Sequence, residues 1–262
     1  VPTFNQAKYL PITLDHVFQQ DYPEVEVIIV NGGSTDDTRG VLDAYLGKTM
    51  REEVDAADRY DGEIVRVRSP RFPLQREVIV RHFDRDIGAT ETYNEGIRCA
   101  TGEYVTYVVS DDIPHLSMVS ELVAAMEHHR VDFAYADMTI VDDDGRILQV
   151  LRKPDYSFRR CFADWFHIGV ARLYKRVWHD RVGLFDPAYR NANDYDMYLR
   201  MAMAGCTFVH VPRVLYSVRS HRPHRQTGQN TPERYANLHQ ESIRCAERAR
   251  SFLSGEGRKD SP

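Results

Sequence analysis

The sequence predicts an α/β fold with helices on both faces of a sheet, and three observations predict it. "VEVIIV" (25–30) is a continuous apolar, β-branched run, the pattern of a strand buried on both faces. Strand-like and helix-like segments then alternate along the chain. Finally, the turns that carry the most chemistry, "NGGSTDD" (31–37) and "SDD" (110–112), both follow such strands. In open α/β sheets ligands sit at these carboxyl ends.

Taken in order, a helix is expected over about 9–20, ended by "DYP", since the residue before a proline avoids helical geometry. After 25–30, a helix runs from about 36 to 46, with Ser34 and Asp37 matching a capping pattern. Residues 47–75 are polar and irregular, with a strand at 63–69, and another strand follows at 76–83. A helix over 88–100 ends at "TG", and "EYVTYVVS" (103–110) is a strand running into Asp111 and Asp112. A helix near 116–129, a strand at 132–141, a "DDDG" turn and a hairpin strand at 146–151 come next. Residues 166–183 go from strand to short helix, 194–205 is a helix ended by Gly205, and 206–212 is the last strand. The tail over 231–253 is helical, with Thr231 as cap and Pro232 at its first position.

Composition bounds the function. The 262 residues are 42% hydrophobic and 28% charged, ordinary for a globular chain with a sizeable core. A net charge of -5 argues against a protein built to hold nucleic acid. Cys99, Cys161, Cys206 and Cys245 are widely spaced, which disfavours a zinc site or disulfide framework and fits a reducing, cytoplasmic compartment. No apolar run is long enough to span a bilayer, and no signal peptide is evident. The chain opens at "VPTFN" as if partway through a first strand, so the expectation is that a natural N-terminus precedes it.

Three clusters could carry chemistry. Asp111 and Asp112, adjacent at a strand end, would hold a hard cation such as Mn2+ or Mg2+, or else cap the following helix. Asp194 and Asp196 stand two apart on a helix and so point in different directions. One is expected to be structural and the other to face a cleft, as a capping group or as a general base. Arg219, His221, Arg222, His224 and Arg225 crowd one loop, a solvated basic segment or a diphosphate clamp, with a histidine able to complete a metal shell. Thr3 ends the presumed first strand, and Trp165, Phe166 and His167 are core or the wall of an acceptor pocket.

Together these segments resemble the inverting family-2 glycosyltransferases with the GT-A fold. The first 38 residues are similar to that family's nucleotide-binding unit. "GATETYNEGIRCATGEYVTYVVSDD" (88–112) is similar to its middle helix, strand and D-x-D-type motif. "VGLFDPAYRNANDYDMYLRMAMAGCTFVHVP" (182–212) is similar to its acceptor-side helix and final strand. The resemblance covers about 1–222 and implies a GT-A domain there, with 223–262 as a C-terminal loop and helical tail. It implies a metal-dependent inverting transferase that moves a sugar from a nucleotide-diphosphate donor to a hydroxyl of a glycan or lipid-linked acceptor, in surface polysaccharide synthesis of bacterial type. Asp194 would be the catalytic base and Asp112 the cation ligand, with His221 as a second. Thr3, Asn31, Asp111 and Arg219 would contact the donor.

Three positions depart from the family pattern. Asn31 stands where an Asp commonly reads the base, Asn193 replaces the first acid of a pair, and Tyr93 replaces an Arg. The alternatives are a sugar nucleotidyltransferase, which would want a glycine-rich basic loop that "PTFNQAKY" lacks, and a non-catalytic relative that binds glycan. The tail helix is open to an oligomer contact such as a homodimer, a peripheral contact at the inner membrane face, or plain packing.

Overall fold

Two sheets carry the chain in the computed structural model, which describes residues 1–47, 50–53, 63–69, 72–220 and 232–254. The first half runs β1 (Pro2–Thr3), α1 (Leu10–Phe18), β2 (Glu26–Asn31), α2 (Thr38–Gly47), β3 (Met50–Glu53), β4 (Glu63–Ser69), β5 (Phe72–His82) and α3 (Ala89–Cys99). Its sheet has the order β1-β2-β5-β4-β3. β1, β2 and β5 are parallel, while β4 and β3 return antiparallel as a meander.

The second half runs β6 (Tyr104–Val105), β7 (Ile113–Pro114), α4 (Met118–His129), β8 (Phe133–Val141), β9 (Ile147–Leu151), α5 (Phe158–Ala163), β10 (Arg172–Lys175), α6 (Trp178–Val182), α7 (Asn193–Met203), β11 (Phe208–Arg219) and α8 (Pro232–Ser254). Its sheet has the order β6-β10-β8-β11-β7, with β9 on the flank of β8. The long β8–β11 pair is parallel and bulged near Val211 and Val214.

Hydrophobic burial holds two packed layers. Leu10, Leu14 and Phe18 of α1 pack with Ile29 of β2 and Val78 of β5, and α4 covers β8 through Leu122 and Met126. The second core is aromatic: Phe133, Tyr135, Tyr174, Phe185, Tyr195 and Tyr198 cluster with Leu238 and Cys245 of α8. Arg76 of β5 is buried and donates to the carbonyls of Phe18 (3.2 Å), Tyr22 (2.9 Å) and Pro23 (3.0 Å), and to that of Gln20. It thereby occupies carbonyls at the end of α1 that have no helical partner. Among the described residues, no helix is long and apolar enough to cross a membrane.

Two expectations shift. The strand at 103–110 pairs only over Tyr104–Val105, because side chains take up the groups beyond: Thr106 Oγ1 donates to Arg172 O (2.6 Å) and Val109 N to Tyr216 Oη (3.3 Å). The last strand is much longer than 206–212 and ends at Arg219, which therefore belongs to β11 and not to a loop.

Gly33 marks the turn after β2. Its φ is 92°, and a Cβ there would lie 2.1 Å from the carbonyl carbon and oxygen of Arg85. Gly33→Ala is expected to destabilise the fold by about 1–3 kcal/mol or more, from left-handed strain plus backbone overlap. Urea denaturation with an unchanged midpoint would refute this account of the turn.

Candidate active site

The first wall of the site is a pair of interlocked loops. Asn5 adopts a left-handed φ of 53°. Its N–H donates to Ser34 Oγ (2.9 Å), and its Oδ1 accepts from the N–H of Thr35 (2.8 Å). Gln6 N donates to Thr38 Oγ1 (2.9 Å). The Ser34 hydroxyl is thus engaged across the loops and does not cap α2. Helix α2 begins later, at Thr38, whose N–H is accepted by Asp36 Oδ1 (3.0 Å).

Thr3 and Asn31 are register partners on β1 and β2, at the carboxyl ends of both strands. Thr3 is buried, and its Oγ1 has no hydrogen-bond partner among the described residues. Asn31 is buried too. Its Oδ1 accepts from Ser34 N (3.0 Å), and its Nδ2 lies 3.3 Å from His82 Nδ1. The amide oxygen thus braces its own turn, and the amide nitrogen meets His82.

The second wall is the turn after β6. Asp112 N donates to Val109 O (3.0 Å), closing a turn that buries both aspartates. Asp112 Oδ1 accepts from Arg219 N (2.9 Å), and Oδ2 from the Tyr216 hydroxyl (3.1 Å). Gln6 Nε2 reaches Asp111 Oδ2 at 3.5 Å. The guanidinium of Arg219 is turned to carbonyls: Nε donates to Asp111 O (3.1 Å) and Nη1 to Asp143 O (3.0 Å). The structure brings Asp111, Asp112 and Arg219 together, with Arg219 bracing the turn from the end of β11. His221 lies outside the described residues.

The third wall is the start of α7, where the two acids separate as their spacing requires. Asp196 is 0% exposed and is held by Arg200 Nε (2.8 Å) and Arg248. Asp194 keeps 33% of its side chain exposed and accepts from Tyr195 N (2.8 Å). The cleft walls still exclude most water around it. This burial pushes the Asp194 carboxyl above its ordinary range, while Arg172 and the Tyr195 N–H pull it partly back. Asn193, buried, donates to Thr90 Oγ1 (3.0 Å) and accepts from Asp194 N (2.8 Å). The amide there therefore supports the helix start.

Tyr93 joins the walls. Burial raises its phenol first; Arg172 opposes this, and the charges of Asp194, Asp111 and Asp112 add to it. The charges of all three carboxylates thus reach this one ring. Tyr93 packs on Tyr107 (centroids 4.7 Å) and Phe185 (5.7 Å). A buried cation, Arg172 of β10, stands beside these rings. Its guanidinium sits 3.7 Å over Tyr107, donates to Gly169 O (2.7 Å) and lies 4.0 Å from Asp194 Oδ2. The sequence signal for it was a lone charge inside the apolar run "VARLY". Trp165 and Phe166 are half-buried and His167 is buried. A cavity of about 690 Å³ between β2, α3 and β6 is lined by Val27, Tyr93 and Tyr107 and does not reach the aspartates.

The donor chemistry fits a hard cation. Asp111 and Asp112 offer carboxylate oxygens, the donors that a hard cation takes. Among the described residues no group of three His, Cys, Asp or Glu could by itself hold a metal. A cation here would need oxygens from a bound diphosphate, the usual arrangement for Mg2+.

Comparison with known proteins places the chain. The family model described as Glycosyl transferase family 2 matches residues 1–183. Glycosyltransferase GlyG of Streptococcus pneumoniae serotype 4 is 28% identical over 157 residues, which are 60% of this chain and 44% of that protein. A PGL/p-HBAD biosynthesis glycosyltransferase of Mycobacterium bovis is 25% identical over 202 residues, covering 76% of this chain and 67% of that one. The crystal structure of S. aureus TarS 1-349 in complex with UDP-GlcNAc superposes with a TM-score of 0.67 at 18% identity, over 95% of this chain and 65% of that one. Mannosyltransferase PcManGT from Pyrobaculum calidifontis, in complex with GDP-Man and Mn2+, gives a TM-score of 0.57 at 17% identity, over 100% and 74% of the two chains. At such identities these structures establish the fold, which is GT-A. The chain spans less than half the length of GlyG.

Proposed function

This chain belongs to glycosyl transferase family 2, and from that premise we propose that it transfers a sugar from a nucleotide-diphosphate donor to a hydroxyl of a glycan or lipid-linked acceptor, with inversion and with a divalent cation. The observation that supports this most is the link from Asp194 through Arg172 and Tyr107 to Tyr93, a ring that the charges of Asp111 and Asp112 also reach. Asp111 and Asp112 lie in the turn between β6 and β7, and Asp194 opens α7. Such a division suits a donor bound on one side and an acceptor activated on the other.

In this reading Asp194 removes the proton from the acceptor hydroxyl as that oxygen attacks the anomeric carbon from the face opposite the diphosphate. Burial raises its pKa, which makes its ionised form a stronger base than that of an exposed Asp. Arg172 holds the carboxylate's charge in check from behind. Asp112 would hold the cation and Asp111 would contact ribose or sugar, with His221 a second ligand. A bound cation would offset the negative charge that develops on the leaving diphosphate. Thr3, whose buried hydroxyl has no partner among the described residues, and Asn31 would meet the nucleotide. Arg219 would hold the Asp111–Asp112 turn and face the diphosphate. We carry Mn2+ or Mg2+ as the cation, and residues 1–222 as the catalytic unit.

Family membership sets aside the sugar nucleotidyltransferase alternative. A non-catalytic relative remains the competing outcome of a direct test. In a thermal-shift panel of UDP-, GDP-, dTDP- and CMP-sugars with and without Mn2+, one nucleotide class is expected to raise Tm, and more so with the cation. A ligand at a hundred times its Kd adds about 2.7 kcal/mol of stability. No shift with any of the four, in the presence of Mn2+, would refute the donor reading.

A further inference from the structure

The tail helix α8 packs on α7 and α5, with Leu238, Glu241, Ser242, Cys245 and Ala249 on its buried face. Glu241 stands out among these as the one carboxylate. Its Oε2 accepts from the backbone N–H of Asn191 (2.7 Å) and of Ala192 (2.9 Å), and its Oε1 from Asn191 Nδ2 (3.2 Å). Those N–H groups immediately precede α7, where helix-end donors have no acceptor of their own. Two turns further along α8, Arg248 donates to Asp196. Arg244 and Arg248 flank the ring of Tyr189 at 5.4 and 6.0 Å. The segment 189–196 is therefore gripped from one side by α8. On the other side Thr90 holds Tyr189 O (2.9 Å) and the Asn193 side chain.

We propose that α8 positions Asp194 in the cleft, with Glu241 as the positioning residue, a role that rests on the reading of Asp194 as the base. Asp194 lies in the first turn of α7, two residues after Ala192, so the direction of its carboxylate follows the backbone that Glu241 holds. Glu241 itself touches neither the cleft nor any residue proposed to meet the donor. Its negative charge, just ahead of α7, also favours the positive end of that helix. Without it, two backbone N–H groups lose their acceptor and the first turn can fray. A displacement of about 1 Å in a reacting group costs roughly 100-fold in rate. The tail is thus part of the catalytic unit in function, although it lies beyond the span of the family model.

The test uses the full chain as wild type, Glu241→Ala, Glu241→Gln and Asp194→Asn. Amide hydrogen exchange over 190–196 is read without ligand. Hydrolysis of UDP-GlcNAc and GDP-mannose with Mn2+, water serving as acceptor, is read beside calorimetric donor binding. Glu241→Ala is expected to speed exchange over 190–196 at least about tenfold and to lower hydrolysis at least about tenfold with donor Kd unchanged. Glu241→Gln, which keeps an acceptor oxygen, is expected to restore both. If Glu241→Ala does not fold, Glu241→Asp, one methylene short, is expected to show the same directions. Unchanged exchange over 190–196 would overturn the inference whether or not either donor turns over. So would unchanged hydrolysis alongside an inactive Asp194→Asn, and the base reading would stand. An active Asp194→Asn would instead remove the base reading itself.

Discussion

Asp194→Asn is expected to lower turnover by about 10²–10⁴-fold, the usual contribution of a general base, with the nucleotide-sugar Kd unchanged. The geometry separates the two effects. Asp194 belongs to α7, while Thr3 and Asn31 end β1 and β2 and Asp111 and Asp112 lie in the turn between β6 and β7. An amide at 194 keeps the acceptor oxygen for Tyr195 N and removes only the basic lone pair. The pH profile carries the same signature. Burial holds the Asp194 carboxyl above its ordinary range, with Arg172 partly opposing. The basic form is lost as pH falls through that raised value. The acidic limb of wild-type turnover should therefore lie above the titration range of an exposed Asp, and Asp194→Asn should lack that limb. A rate within a few-fold of wild type would remove Asp194 from the mechanism.

Asp112→Asn is expected to weaken cation-dependent donor binding by about 2–5 kcal/mol, roughly 30-fold or more in Kd, the loss typical of removing one partner of a buried charge pair. The fold should survive. Arg219 N donates to Asp112 Oδ1 and Tyr216 Oη to Oδ2; the amide keeps an oxygen for Arg219 N, and its NH2 can donate to the Tyr216 hydroxyl, which also accepts. The lost negative charge is what a hard cation requires. In excess chelator the wild type is expected to behave like the mutant. Equal donor affinity for wild type and mutant, in Mn2+ and in chelator alike, would show that the turn at Asp111–Asp112 has only a structural role.

Much of this was legible before any coordinates. The apolar run at 25–30 is β2, the helix expected at 88–100 is α3, and the alternation at 132–151 is the β8–β9 hairpin. The spacing of Asp194 and Asp196 predicts that they diverge, and one is buried while the other is partly exposed, because residues two apart on a helix point in different directions. What escaped has physical causes. β3, "MREE", is polar and shows no apolar alternation to mark it. The end of β11 reads as a charged loop because Arg219 is charged, yet pairing with Val141 of β8 keeps it in the sheet. Ser34 matches a capping pattern, but Asn5, twenty-nine residues away, takes its hydroxyl. Long-range partners likewise hide Arg172 and Glu241: their roles depend on contacts with Asp194 and with residues 191–192 that no local pattern encodes.

The central claim is a division of labour in one cleft, with Asp111 and Asp112 serving the donor and Asp194 serving the acceptor. Calorimetric titration of the stabilising nucleotide sugar, in Mn2+, into wild type, Asp194→Asn and Asp112→Asn tests it most directly. The account predicts wild-type affinity for Asp194→Asn and a loss of roughly 30-fold or more for Asp112→Asn. Donor binding lost in Asp194→Asn but intact in Asp112→Asn would contradict it.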